Sequence, residues 1–366
     1  MQAEVIIVGA GAVGLSIGLA CARQGLQTIV LERHGRPGEE LSSRNSEVIH
    51  AGLYYPPGSL KARMCVRGRH LLGTFLRTWQ VPHQWLGKYV VARDERGEST
   101  LTRLLENARD NGVEGLALLN RAAIRSACPV LNARAALWSP VTGILDSAAF
   151  IRALGQALAE AGGVLACAHR VEAMDAGSRV LKVRGPDQRV FEVRAERIVL
   201  ANGLGLPALL SATTGLARDY GVTYAWAKGH YFSYQGAVPF RHLIYPLPAE
   251  GGLGIHLTLD LSGAARFGPD VDWVDRPDWQ ADPARKPAFV EAIRSWWPEV
   301  DPRRLQPAWA GVRPKLERSS AFMDFRIDDQ RAHGVPGLWI LAGIESPGLT
   351  AALALGEHVA ASLSSA

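Results

Sequence analysis

The sequence predicts an α/β chain, α+β overall: a Rossmann-like dinucleotide-binding domain carrying an inserted, mainly antiparallel β-sheet domain. Three observations predict it. A glycine-rich turn joins a buried strand to a helix at Val5 to Gly14. Further parallel-type strands stand in the middle and at the end of the chain. Between them run stretches with the two-residue apolar alternation of antiparallel sheet.

The elements follow in chain order. Val5-Ile-Ile-Val8 is β-favouring and apolar, a buried strand. Gly9, Gly11 and Gly14 stand at G-x-G-x-x-G spacing: Gly9 permits the turn, Gly11 lets the backbone approach a pyrophosphate, and Gly14 lets the helix pack close to the sheet. The small apolar run Leu15 to Ala22 is that helix, and its N-terminus presents unpaired N–H groups to phosphates. Thr28 to Leu31 is a second strand ending at Glu32. That carboxylate is an acceptor for ribose hydroxyls and would repel a 2′-phosphate, which argues against NADP. The motif alone leaves NAD and FAD open.

After a polar loop, Arg33 to Ser46, comes Val48 to Tyr55, stopped by Pro56-Pro57-Gly58. Ser59 caps a helix in which Leu60, Met64, Leu71, Leu72, Phe75, Leu76 and Trp79 recur at helical spacing. Lys88 to Ala92 is a short strand, Ser99 to Asn111 a helix and Ala136 to Pro140 a strand. Asp146 or Ser147 caps an apolar helix through Ala161, ended by Gly162-Gly163. Val164 to His169 and Arg197 to Leu200 are strand-like, with an antiparallel hairpin (Arg179 to Arg184, Arg189 to Arg194) between them. Val222 to Tyr234 and Leu243 to Leu261 alternate at length and predict the antiparallel sheet. Ala288 to Trp297 is a helix halted at Pro298, and Trp309 to Arg313 a strand ahead of Pro314. Gly337 to Gly343 is a buried strand; Ser346 as cap and Pro347 as first helical residue start a last helix through about Leu363. The dinucleotide domain is expected at 1–78, 146–215 and 330–366, the inserted one at 79–145 and 216–329.

Composition narrows the class. A chain of 366 residues, 48% hydrophobic and 20% charged, buries a sizeable core. A net charge of +5 without a long run gives no case for nucleic acid, and Arg63, Arg67 and Arg69 read as a solvated helix face. Cys21, Cys65, Cys128 and Cys167 are scattered, with no C-x-x-C, so no metal site and no disulfide framework is expected. That usage fits a reducing, cytoplasmic setting. The first strand begins too near Met1 for a signal peptide. No apolar run reaches the roughly eighteen residues of a membrane span. Peripheral membrane contact stays open.

The spacing of the pieces selects FAD. One fingerprint at the N-terminus and a second glycine turn after a late strand, Ala201-Asn202-Gly203, describe a single nucleotide fold split by insertions. A separate NAD domain would show a second G-x-G-x-x-G, and none is present. Gly343 to Thr350 sets a helix N-terminus directly after a strand, where its dipole can face the flavin N1/C2=O edge.

Several islands then carry a family likeness: Ser43-Arg-Asn-Ser-Glu-Val-Ile-His-Ala-Gly-Leu-Tyr-Tyr55, Leu60-Lys-Ala-Arg-Met-Cys-Val-Arg-Gly68, Lys228-Gly-His-Tyr-Phe232 and Leu243-Ile-Tyr-Pro246. Gly252 to Asp260, Arg266 to Pro269, Gly311-Val-Arg-Pro-Lys315 and Gly343 to Thr350 complete them. On these the chain resembles the FAD-dependent oxidoreductases of the D-amino-acid-oxidase-like superfamily, most of all the L-2-hydroxyglutarate dehydrogenase/oxidase family. The resemblance implies noncovalent FAD, with the turn Ser43, Arg44, Asn45 and Ser46 beside the isoalloxazine and His50 following it. Gly9, Gly11, Ala12, Gly14, Glu32, Arg33, Val171, Ala201, Asn202, Gly203, Gly343, Glu345, Ser346, Gly348, Leu349 and Thr350 complete the expected cofactor contacts. It also implies that Arg313 grips a substrate α-carboxylate, a task for which a planar guanidinium is suited.

Oxidising a 2-hydroxy acid needs a hydride acceptor, flavin N5, and a base for the hydroxyl proton. Histidine suits the second task because it titrates near neutrality. His50 and His256 are the candidates, with His230 and Tyr245 secondary. For a distal carboxylate the sequence offers Lys228, Arg44 or Lys315. The expected reaction is oxidation of an L-2-hydroxy acid, plausibly L-2-hydroxyglutarate, with electrons passed to a quinone, a carrier protein or oxygen. Two alternatives are an oxidase of glycine, sarcosine or D-amino acids on the same scaffold, and a flavin-holding subunit without turnover.

Overall fold

In the computed structural model, which describes residues 2–217, 220–247 and 254–364, the strand Gln2–Val8 is central to a nine-stranded sheet. Its neighbours Thr28–Leu31 and Val190–Leu200 both run parallel to it. Val164–Ala166 lies parallel outside the former and Leu338–Ala342 outside the latter. Strands from the start, middle and end of the chain thus point their carboxyl ends to one edge, where α/β sheets bind ligands. The helices Ala12–Arg23, Ser147–Glu160 and Gly348–Ser364 share one apolar cluster with this sheet. A Cβ at Gly356 would stand 2.4 Å from the Ser16 carbonyl, so glycine is what lets the last helix cross the first so closely.

A second nine-stranded sheet includes Lys88–Ala92, Ala135–Ser139, Ala225–Tyr234, Leu243–Pro246 and Leu305–Lys315. It is antiparallel except where Leu243–Pro246 runs parallel to Lys88–Ala92. Its own core, rich in Phe and Trp, lies under the helix Lys286–Arg294. A three-stranded sheet joins Val48–Ile49, Gly143–Leu145 and His83–Gln84.

Several expected boundaries shift, each for a visible reason. The helix expected from Ser99 starts at Glu95, because Asp94 accepts from the Gly97 amide and caps it earlier. The second hairpin strand and Arg197 to Leu200 are one continuous strand, Val190–Leu200, antiparallel to Val180–Arg184 along its first half. Pro314 does not end its strand: among the described residues Leu305–Lys315 pairs as a strand only with Ala225–Tyr234 and is an edge, where a missing N–H costs no ladder bond. The last helix begins at Gly348, and the Pro347 carbonyl accepts from the Ala351 amide, so Pro347 takes the cap position rather than the first helical one. Within Leu243 to Leu261, strands form at Leu243–Pro246 and Leu257–Leu259, and 248–253 fall outside the described residues. Among the described residues no helix is long and apolar enough to cross a membrane.

Candidate active site

The strand ends Val8, Leu31, Ala201 and Leu341 border a cavity of about 950 Å³, which Tyr231, Tyr245, His256 and Arg313 close from the second sheet. That is near the upper end of small-molecule sites, roughly 300–1,000 Å³.

The glycine turn builds one end. A Cβ at Gly14 would lie 1.9 Å from the Gly9 carbonyl oxygen, and one at Gly9 2.7 Å from the Ala201 carbonyl oxygen. Only glycine lets helix, turn and neighbouring strand meet this closely. The helix Ala12–Arg23 follows Gly11, which has no side chain to cap it, and has no acid in its first turn, which leaves a dipole end fit for phosphate. Glu32 is buried, and its carboxylate accepts from the amides of Ala10 (2.8 Å) and His34 (2.9 Å). Asn202 lines the cavity, and its Oδ1 has no hydrogen-bond partner among the described residues. A helix N-terminus free of acids, an acid at the second strand end and an orphaned acceptor fit an adenine dinucleotide such as FAD.

The other end gathers cations and imidazoles. Arg313 donates from Nη2 to the Asp270 carbonyl at 2.9 Å, which fixes its guanidinium in the cavity wall. Asp270 is itself fixed, because its carboxylate accepts from the His230 amide (2.7 Å), His230 Nδ1 (2.9 Å) and Arg285 Nε (2.5 Å). His50 and His256 both line the cavity. His50 Nε2 lies 3.3 Å from the Ser346 hydroxyl, and its amide donates to Thr350 Oγ1. The His256 ring stacks on Tyr245 at 3.7 Å between centroids, 8° from parallel. Each ring keeps an edge on the cavity, yet burial pushes both imidazoles down to about 3. The Lys88 ammonium adds to the shift in both, and His50 and Arg313 add to it in His256. Burial also holds the Tyr245 hydroxyl well above its ordinary range.

Below the last helix, Glu345 Oε1 accepts from Lys61 Nζ (3.0 Å) and Lys315 Nζ (3.1 Å). Burial opposes ionisation of this carboxyl, but the two ammonium groups outweigh it and hold it below the usual range.

Of the expected residues, Gly9, Gly11, Ala12, Gly14, Glu32, Arg33, Arg44, Asn45, Ser46, His50 and Val171 line the cavity, as do Ala201, Asn202, Gly203, Tyr245, His256, Arg313, Glu345, Ser346, Gly348 and Leu349. Three do not. Ser43 is exposed and donates to the Glu40 carbonyl; its neighbour Ser42 turns inward and accepts from the Ala12 amide. Gly343 sits in a turn against Leu316. Thr350 is buried, its hydroxyl donating to the Val48 carbonyl while accepting from His50. His230, a secondary base candidate, is also outside the cavity, buried against Asp270.

The distal-carboxylate candidates separate as well. Lys228 is buried on Asp278 and away from the cavity, and Lys315 is held by Glu345. Arg44 lines the cavity with its guanidinium over Trp279, and its Nε has no hydrogen-bond partner among the described residues. Sequence reasoning missed Ser42, Lys88, Tyr231 and Asp270. Two signals were available: Tyr231 stands inside the island Lys228-Gly-His-Tyr-Phe232, and Lys88 is a lone charge in the otherwise apolar run Lys88-Tyr-Val-Val-Ala92.

The chain is similar to known proteins. The model of the DAO family, described as FAD dependent oxidoreductase, matches residues 4–362. The mitochondrial L-2-hydroxyglutarate dehydrogenase of Arabidopsis thaliana is 36% identical, covering 98% of this chain and 83% of its own length. The L-2-hydroxyglutarate dehydrogenase of Indibacter alkaliphilus is 26% identical, with 98% of each covered. Among solved structures, the dithionite-reduced L-alpha-glycerophosphate oxidase of Mycoplasma pneumoniae with FAD bound superposes with a TM-score of 0.86 at 21% identity, covering 100% of this chain and 95% of that one.

Proposed function

The chain belongs to the FAD dependent oxidoreductase family, and from that premise we propose that it oxidises L-2-hydroxyglutarate to the 2-oxo acid. The relatives named for that reaction cover nearly the whole chain and support the substrate. The observation that carries the chemistry is Arg313, anchored on Asp270 in the same cavity wall as two unprotonated imidazoles.

FAD, when bound, supplies the two-electron acceptor for the hydride that leaves the α-carbon. Gly9, Gly11, Gly14 and the first-turn amides of Ala12–Arg23 would hold its pyrophosphate, and Glu32 its ribose. The chain does the rest. Arg313 binds the α-carboxylate and so sets where the α-carbon and its hydroxyl lie. His50 or His256, neutral at working pH, takes the hydroxyl proton as the carbonyl forms. The stack on Tyr245 fixes the His256 plane, and Ser346 and the Thr350-bound amide fix His50. Arg44 receives the distal carboxylate, the one candidate cation in the cavity without a carboxylate partner among the described residues. The division into 1–78, 146–215 and 330–366 against 79–145 and 216–329 belongs to the same reading. Sheet membership supports it save at two places: Arg326–Asp328 pairs with Leu338–Ala342, and Val48–Ile49 pairs with Gly143–Leu145. The four free cysteines support a reducing, cytoplasmic setting.

A turnover panel with an artificial electron acceptor tests the proposal. L-2-hydroxyglutarate should be oxidised in preference to L-2-hydroxybutyrate, glycine, sarcosine and D-amino acids; turnover of the amines alone would overturn it. Arg44→Ala should raise KM for L-2-hydroxyglutarate and leave that for L-2-hydroxybutyrate in place. Reoxidation with oxygen, a quinone analogue or a carrier protein then identifies the acceptor.

A further inference from the structure

Lys88 is the charged residue that the proposed chemistry leaves without a task. It is 1% exposed, in a strand buried at every position. Its Nζ lies 4.4 Å from the Tyr245 ring centroid and 4.9 Å from that of Tyr54. Among the described residues it meets no carboxylate. A buried ammonium is normally paired; this one rests on aromatic faces, whose quadrupole steadies it without cancelling its charge.

Its surroundings are those of the two imidazoles. Tyr245, on which Lys88 rests, is the ring stacked on His256. From the helix Leu60–Thr78, Cys65 Sγ approaches the His50 carbonyl at 3.5 Å. Arg313, Glu345 and Ser346 line the same cavity as the two histidines, the Ser346 hydroxyl at 3.3 Å from His50 Nε2, while Tyr54 faces Lys88. The cations in this set are Lys88 and Arg313, and Lys88 acts on both histidines. Burial brings Lys88 itself down to about 7, so its charge is in place through the acid range where histidines take up protons.

We infer that Lys88 is a positioning residue: its ammonium, seated on the ring that stacks against His256, reinforces burial in keeping His256, and with it His50, in the neutral form that can accept a substrate proton. Without it, the rings would protonate at higher pH and the base would be lost sooner on acidification. The role as base rests on the proposed oxidation; the charge effect does not.

Histidine labelled with carbon-13 at Cε1 in the FAD-loaded protein reads the effect directly, with His50 and His256 assigned through Asn replacements. In Lys88→Met and Lys88→Gln both midpoints should rise, by about one pH unit or more. Lys88→Arg should titrate like the parent. The acid limb of kcat/KM for L-2-hydroxyglutarate should move with the resonances. Unmoved midpoints in both uncharged variants would overturn the inference. So would an unmoved acid limb with a loss confined to dicarboxylic substrates, because Lys88 would then be a counter-ion for substrate. If the parent fails to oxidise L-2-hydroxyglutarate, the proposed reaction falls, while the resonances still decide the charge effect.

Discussion

A methyl group added at Gly229 would stand 2.8 Å from Arg313 Nη2 and 2.6 Å from Pro269 Cβ, closer than Cβ atoms pack. The guanidinium therefore occupies space that any other residue at 229 would fill. Gly229→Ala should raise KM for the acid with FAD content unchanged. Arg313→Lys should do the same by about 10- to 100-fold, the cost of a charge-assisted hydrogen bond of roughly 1.5–3 kcal/mol. Loss of FAD from either variant, in place of a KM effect, would make Arg313 structural. The place of Arg313 in the cavity was legible through the family resemblance of its Gly311-Val-Arg-Pro-Lys315 island. Its support was not: Asp270 and His230 are distant in sequence, and no local pattern pairs them.

At the scale of elements, the last helix ties the two ends of the chain at one hydroxyl. Thr350 Oγ1 accepts from the His50 amide at 3.0 Å and donates to the Val48 carbonyl at 3.2 Å. Thr350→Val should cost about 1–3 kcal/mol, the penalty for leaving buried backbone groups unsatisfied, seen as a lower midpoint in denaturant. Thr350→Ser should recover most of it, and an unchanged midpoint in the valine variant would refute the tie. The sequence announced this helix by Ser346-Pro347 but misplaced its start, because a cap signal does not show which carbonyl the first amides reach. Elements with their own period and cap, such as Ser59 before Leu60–Thr78, were legible to the residue. The paired edge that tolerates Pro314 was not, since edge status depends on partners far away in the chain.

The whole molecule places two desolvated imidazoles where the two sheets meet, and this has a stability signature. His50 and His256 are neutral in the fold down to about 3, against 6.5 in an unfolded chain. Between those values the unfolded state binds more protons, so stability falls as pH drops below 6.5 and this contribution levels off near 3. Thermal midpoints should therefore begin to fall above the carboxylate range. A double His50→Asn, His256→Asn variant should flatten the curve between 6.5 and about 5. An identical slope in parent and variant would contradict the assignment. The central claim concerns the same meeting place: one cofactor-bearing cavity in which a guanidinium-bound hydroxy acid gives up a hydride. Its most direct measurement is an anaerobic titration of the yellow protein with L-2-hydroxyglutarate. The flavin band should bleach with one 2-oxo acid formed per flavin; a band that persists through excess substrate, in protein with full FAD content, would contradict it.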